Sequence, residues 1–253
     1  FAAKLVEDIH KVNPSITFIG MGHERMKNAG VDIRADLATV STVGFIEPII
    51  HLPKILWTYH KMKQVLIKEK PAAVIVVDYQ GYHMTFIRAA KELGIPVIYY
   101  IAPQEWQWGT EKGGQAVINL TDKILAIFPE EADFYKRLGG NVSFIGHPII
   151  DTISVTQSRE EFCKTLDINP ETKIVGMFPG SRPQELKHLL PILCETTKQL
   201  SNEHSDTTLI LVSASEKYTK KLRSSLKKYR VESHIHLYSG NPHNVIQHSH
   251  IGV

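Results

Sequence analysis

Residues 173–195 read KIVGMFPGSRPQELKHLLPILCE, and the order of residue types in this stretch decides the fold. KIVGMF is short, apolar and strand-like, and the residues after Pro183 are helix-like. Gly180 gives a tight turn with close backbone approach, while Ser181 followed by Gln184 forms a capping box with Pro183 near the first turn. A strand running through a glycine turn into a capped helix is the repeating step of a parallel α/β sheet. Free N–H groups and the positive end of the helix dipole then face the carboxyl end of the strand. Arg182 adds a permanently charged planar fork suited to phosphate, so the stretch reads as an anion site. The alternative is a well-capped helix whose arginine pairs with a carboxylate such as Glu185.

The same step recurs outward from this stretch. ITFIGM, AAVIVVDY, PVIYYI, KILAIF and VSFIG are short β-branched or aromatic runs, and charged helical segments separate most of them. That alternation predicts a parallel sheet covered by helices. After GHPIID a second series begins with KIVGMF, TLILVS and HIHLYS, which places a domain boundary near Ile153. The chain starts inside an amphipathic helix (Leu5, Val6, Ile9, Val12) and stops as an apolar strand begins, the expectation for a fragment of a longer protein.

Composition narrows the function. The 253 residues are 43% hydrophobic and 22% charged, enough for a sizeable core and long for one α/β unit. The net charge of +3 reads as a mild excess spread along the chain, which does not point to nucleic acid but suits anionic lipid or phosphorylated substrates. Cys163 and Cys194 have no C-x-x-C spacing, so no disulfide framework is expected, and no apolar run is long enough to cross a bilayer. GMGHER lacks the third glycine of a dinucleotide loop, since Arg25 occupies that place, and no P-loop or D-x-D pair occurs. Neither a metal nor a cofactor is expected.

Residues 42–70 interrupt the alternation. Leu52, Ile55, Leu56, Tyr59, Met62, Val65 and Leu66 recur at helical spacing, with Lys54, Lys61, Lys63 and Lys68 mostly off that stripe, which reads as a core-packed helix with a solvated face. Ahead of it, VGFIEPIIHLP is denser in apolar residues than one buried face needs, and Pro48 and Pro53 limit it to a short helix or loop. The competing reading is an apolar knob beside lysines that dips into a membrane surface.

Two further loops follow strands. Asp78 ends an apolar run, where partial burial would raise a carboxyl's pKa and fit it for general-base work; capping the next helix is the other possibility. YYIAPQEWQWG carries Gln104, Glu105, Trp106 and Trp108 in a loop with no core period, and paired tryptophans suit sugar rings or acyl chains, or a packed lid.

GHERMKNAGV, STVGFIEPIIHLPKIL, VVDYQGY, IPVIYYIAPQEWQW, DKILAIFPEEADFYKRLGGNVSFIGHPIID and PGSRPQELKHLLP resemble, in order and spacing, successive blocks of the lipid-A-disaccharide synthase family. The resemblance implies a GT-B-like α/β architecture of two Rossmann-like parallel-sheet domains facing across a cleft. Residues 1–153 would be the acceptor side without its first strand, and residues 154–253 an incomplete UDP-sugar side. It implies an inverting transfer of 2,3-diacylglucosamine from UDP to 2,3-diacylglucosamine 1-phosphate, forming the lipid A disaccharide without a cofactor. Asp78 would be the base; Gly180, Ser181, Arg182 and Glu185 would form the donor loop. Phe45, Ile46, Ile49 and Ile50, with Trp106 and Trp108, would meet acyl chains or the inner face of the cytoplasmic membrane.

Gln80, Tyr82 and His83 depart from the family's usual Pro, Phe and Asn, and its G-E-x-S-G-D and S-G-T-A-x-x-E segments are not in this sequence. An oligomer of the full-length protein is compatible with the resemblance. The alternatives are an enzyme resembling UDP-N-acetylglucosamine 2-epimerase and a catalytically inactive acceptor-binding fragment.

Overall fold

The computed structural model describes residues 1–36 and 47–253, and side chains outside 47–51. The chain divides into two compact units, Phe1–Asp151 and Thr152–Val253. In the first, helix α1 (Ala2–Val12) leads into β1 (Phe18–Met21), α2 (Glu24–Asn28) and β2 (Val31–Ala35), and β1 and β2 pair in parallel. Helix α3 (Glu47–Glu69) precedes β3 (Val74–Val77), α4 (Gln80–Glu92), β4 (Val97–Tyr100), α5 (Glu111–Leu120), β5 (Lys123–Ala126), α6 (Pro129–Arg137) and β6 (Val142–Phe144).

Strands β3 to β6 form a parallel sheet in chain order, with Val74 opposite Val97 and Val77 opposite Tyr100. Parallel neighbours require a crossover, so each helix returns over a face and covers it. Val97, Tyr99, Ile124, Ile87, Ala90, Val117 and Tyr135 are accordingly buried in one core. Each fully buried aliphatic side chain contributes about 1.5–3 kcal/mol. Asp122 pins the start of β4: its carboxylate accepts the Val97 N–H at 2.9 Å and the Lys91 ammonium at 2.8 Å, which holds it below the usual carboxylate range.

The second unit contains α7 (Arg159–Leu166), β7 (Lys173–Met177), α8 (Pro183–Glu203), β8 (Thr207–Val212), α9 (Glu216–Tyr229), β9 (His236–Tyr238), α10 (Pro242–His248) and β10 (Ile251–Gly252). Its parallel sheet has the order β10-β7-β8-β9. Leu186, Leu190 and Leu193 of α8 and Leu222 and Leu226 of α9 pack on Met177, Leu209 and Leu211. Cys163 and Cys194 are buried and unpaired.

Two expectations for residues 47–70 are corrected. Helix α3 runs through Pro53 for 23 residues rather than ending as a short helix or loop. Pro48 lies in the first turn, where an N–H is unpaired anyway, so only Pro53 forgoes an internal bond. The apolar stripe is core only in part: Met62 and Leu66 are buried and Ile55, Tyr59 and Val65 pack against the same core, whereas Leu52 and Leu56 are exposed, as is Trp57 off the stripe.

Glu131 of α6 is buried. Its Oε2 accepts the N–H groups of Ile127 (2.8 Å) and Phe128 (3.3 Å), while Oε1 is buried with no hydrogen-bond partner among the described residues. Burial pushes this carboxyl above its usual range, against the lowering effect of the backbone N–H groups. Unfolding lets it ionise more readily, so the native state loses stability as pH rises from the unfolded pKa, about 4.3, through the raised native one. Glu131→Gln removes that titration. The melting temperature of the variant minus that of the wild type should therefore be larger at pH 7 than at pH 4, by about 2–4 °C per kcal/mol. Equal differences at the two pH values would show that Glu131 carries no such cost.

Candidate functional site

Asp78 follows β3 directly, and its N–H continues the ladder to the Tyr100 carbonyl at 3.2 Å. Asp78 and Tyr79 then both take the left-handed conformation, with φ of 52° and 49°. For residues with a Cβ this costs about 1–2 kcal/mol each, so something must hold the turn. The Asp78 carbonyl does so: it accepts His83 Nδ1–H at 2.5 Å and the Tyr99 hydroxyl at 3.1 Å. Aromatic rings of Tyr79, Tyr82 and Tyr99 surround the imidazole, and burial lowers its pKa. The neutral tautomer with its proton on Nδ1 is therefore the one this carbonyl selects.

The Asp78 carboxyl differs from both sequence readings. The residue is exposed rather than partly buried, because the left-handed turn lifts it off the sheet's edge. It does not cap α4 either, since Tyr79 is the N-cap and no side-chain cap bond forms. Among the described residues the carboxylate has no hydrogen bond or ion pair. Tyr99 was not singled out in the sequence, where it is one apolar-run tyrosine among several; its hydroxyl matters only because β4 lies beside β3.

Gln80 donates from Nε2 to Glu105 Oε1 at 2.5 Å, and Glu105 Oε2 accepts the Thr110 N–H at 3.1 Å. This ties the tryptophan loop to the first residue of α4 and to the start of α5. A Cβ at Gly109 or Gly113 would collide with the Glu105 carboxylate. The two tryptophans are not a pair: Trp106 packs on Phe128 with ring centroids 5.8 Å apart, whereas Trp108 is 79% exposed.

In the second unit the loop after β7 gathers Gly180, Ser181, Arg182 and Glu185 as expected, with a different cap. Helix α8 begins one residue later than a Ser181–Gln184 box implies: Arg182 is the N-cap and Pro183 opens the helix. Glu185 reaches back, its Oε2 accepting the N–H groups of Ser181 (2.7 Å) and Arg182 (2.9 Å). Those bonds hold its carboxyl below the usual range. Gly180 has φ of 92°, and a Cβ there would meet the Glu185 side chain, so the turn requires glycine. Arg182 lies 3.3 Å from Glu185 Oε1 through one guanidinium nitrogen, and its side chain remains 55% exposed. Two N–H groups expected to bind an anion are thus already occupied, and Arg182 is the cation left facing solvent.

Of the expected apolar patch, Phe45 and Ile46 lie outside the described residues, and Ile49 and Ile50 fall in the first turn of α3.

A family model for lipid-A-disaccharide synthetase matches residues 1–253. Lipid-A-disaccharide synthase of Geobacter sulfurreducens is 35% identical over 213 residues, covering 84% of this chain and 55% of that protein. The same enzyme of Syntrophus aciditrophicus is 38% identical over 200 residues, covering 79% and 52%. The chain thus spans about half the length of these relatives. Among solved structures, the S. aureus MnaA–UDP co-structure has a TM-score of 0.64 at 16% identity, covering 99% of this chain and 70% of that one. UDP-GlcNAc 2-epimerase from Neisseria meningitidis bound to UDP-GlcNAc gives 0.63 at 14%, covering 99% and 74%. At such identities the likeness carries the fold alone, a GT-B-like arrangement of parallel sheets. By its sequence over residues 1–253, the chain belongs to the lipid-A-disaccharide synthetase family.

Proposed function

We propose that this chain carries the acid–base and donor-loop residues of an inverting glycosyltransferase. It would move 2,3-diacylglucosamine from UDP to 2,3-diacylglucosamine 1-phosphate and form the lipid A disaccharide. Membership of the family supports the reaction class. The observation that carries the site is the Asp78 carboxylate, exposed and unspent on a turn that is held in place by its own carbonyl. In a single displacement, Asp78 takes the proton of the acceptor hydroxyl as that oxygen attacks the anomeric carbon. The bond from that carbon to the diphosphate breaks, and UDP leaves with the electron pair. Arg182, oriented by Glu185, meets the negative charge that develops on the diphosphate.

The exposed Leu52, Leu56 and Trp57 of α3 support peripheral attachment to the inner face of the cytoplasmic membrane, close in sequence to Phe45, Ile46, Ile49 and Ile50. Lys61 stacks over Trp57 at 5.0 Å, placing a cation beside the apolar group.

Asp78→Asn keeps size and polarity but cannot accept the proton, so turnover should fall by about two to four orders of magnitude with thermal stability unchanged. His83→Ala should lower kcat by about tenfold with KM little altered, because the left-handed turn loses a clamp. Tyr79→Gly in the same chain should restore most of that loss, since glycine takes this conformation without penalty. Full activity in Asp78→Asn would remove the residue from the mechanism.

For the donor loop, Arg182→Ala should cost about two to three orders of magnitude in turnover, and Arg182→Lys should recover little because a point charge lacks the fork. Near-normal turnover in both variants would reduce the loop to a helix cap. For the membrane, replacing Leu52, Leu56 and Trp57 with serine should weaken sedimentation with phospholipid vesicles without unfolding the chain. Undiminished sedimentation would dismiss this face.

A further inference from the structure

Glu105 links two loops at one end of the first unit's larger sheet. Asp78 follows β3, and the tryptophan loop follows β4, the strand paired beside it. The Glu105 carboxylate bridges them: Oε1 accepts from Gln80 Nε2 at 2.5 Å, and Oε2 accepts the Thr110 N–H at 3.1 Å. Gln80 stands two residues beyond Asp78 and opens α4, whereas Thr110 is the N-cap of α5, its side chain accepting the Gly113 N–H at 3.0 Å. Hydrogen bonds to an ionised carboxylate are roughly twice as strong as neutral ones. Space for this one comes from Gly109 and Gly113, where a Cβ would meet it.

Between these anchors the chain makes one tight turn. The N–H groups of Gln107 and Trp108 both reach the Gln104 carbonyl, at 3.0 and 3.1 Å, and the Gly109 N–H reaches the Glu105 carbonyl at 3.2 Å. The turn treats its two indoles in opposite ways. Trp106 packs inward on Phe128, and its Nε1 is buried. Trp108 is 79% exposed, and among the described residues no ring or cation contact engages its indole. A rigid ring on a fixed turn has little freedom left to lose when a flat partner stacks on it.

We propose that Glu105 is a positioning residue. By latching the tryptophan turn to the first turn of α4, it holds the Trp108 indole as a stacking surface for the hexopyranose ring whose hydroxyl meets Asp78. The identity of that sugar as the acceptor's glucosamine rests on the function proposed above. A pyranose offers C–H groups on its face, a partner for the negative face of an indole, and keeps its hydroxyls at the rim. Glu105 itself touches no reacting atom and acts through Trp108. Its effect therefore falls on affinity for the sugar rather than on the bond-breaking step.

The probe is glucosamine 1-phosphate, read through the part of the tryptophan emission that W108F removes. In the wild type that emission should change saturably as the sugar is added. Q80E sets two carboxylates against each other at the latch and should raise the half-saturating concentration by about fivefold or more. E105Q should bind as the wild type does, because the Gln80 amide can turn over and accept where it donated. Q80E/E105Q should regain wild-type binding, since donor and acceptor have only changed sides; this rescue separates a lost latch from a damaged fold. In transfer assays the acceptor KM should follow the same order with the donor KM unchanged, and Q80E should add nothing to the KM of W108A. Wild-type probe binding by Q80E, no emission change in the wild type, or no rescue by the double variant overturns the proposal. If the probe results hold and no transfer occurs, the proposed function falls and this inference stands. Transfer with an acceptor KM indifferent to Q80E and W108A does the reverse.

Discussion

Parallel pairing is the constraint on which the rest of this structure depends. Strands β3 and β4, like β7 and β8, run in the same direction, so the chain must cross over by a helix and begin each helix at the carboxyl end of a strand. Every such junction presents N–H groups that no helical carbonyl can satisfy. The chemistry of this protein follows from how each junction deals with them.

Three of these junctions spend a carboxylate. Glu105 accepts the Thr110 N–H at the start of α5, Glu131 accepts two N–H groups before α6, and Glu185 accepts two before α8. The turn between β3 and α4 is built differently. There the clamp is a carbonyl with two side-chain donors, His83 and Tyr99, and the nearby carboxylate of Asp78 stays uncommitted. A turn stabilised through its backbone leaves its side chain available for reaction. The same contrast underlies the proposal that Arg182, rather than the backbone of its loop, receives a phosphate: Glu185 has taken the amides and fixed one side of the guanidinium.

Much of this was legible in the sequence because it depends on local order. Apolar runs of four to six residues separated by amphipathic segments can bury both faces only as parallel strands under helices, and AAVIVVDY, PVIYYI, KILAIF and KIVGMF became β3, β4, β5 and β7. The strand β2 was not legible: Asp32 and Arg34 alternate with Val31, Ile33 and Ala35 over five residues, a pattern too short and too charged to separate from a loop. Gathering of Gly180, Ser181, Arg182 and Glu185 was determined by their spacing within one turn.

Tertiary structure decided what depended on neighbours distant in the chain. Leu52 and Leu56 share a helical stripe with Met62 and Leu66, yet only the last two find core partners, since periodicity specifies a face and not what covers it. Asp78 was nameable from its place after an apolar run. The hydrogen bond that its carbonyl accepts from the Tyr99 hydroxyl arises only when β4 lies alongside β3, 21 residues away in the chain. Sequence by itself determined which residue types stand at the ends of strands; the pairing of those strands determined which of them remain free to react.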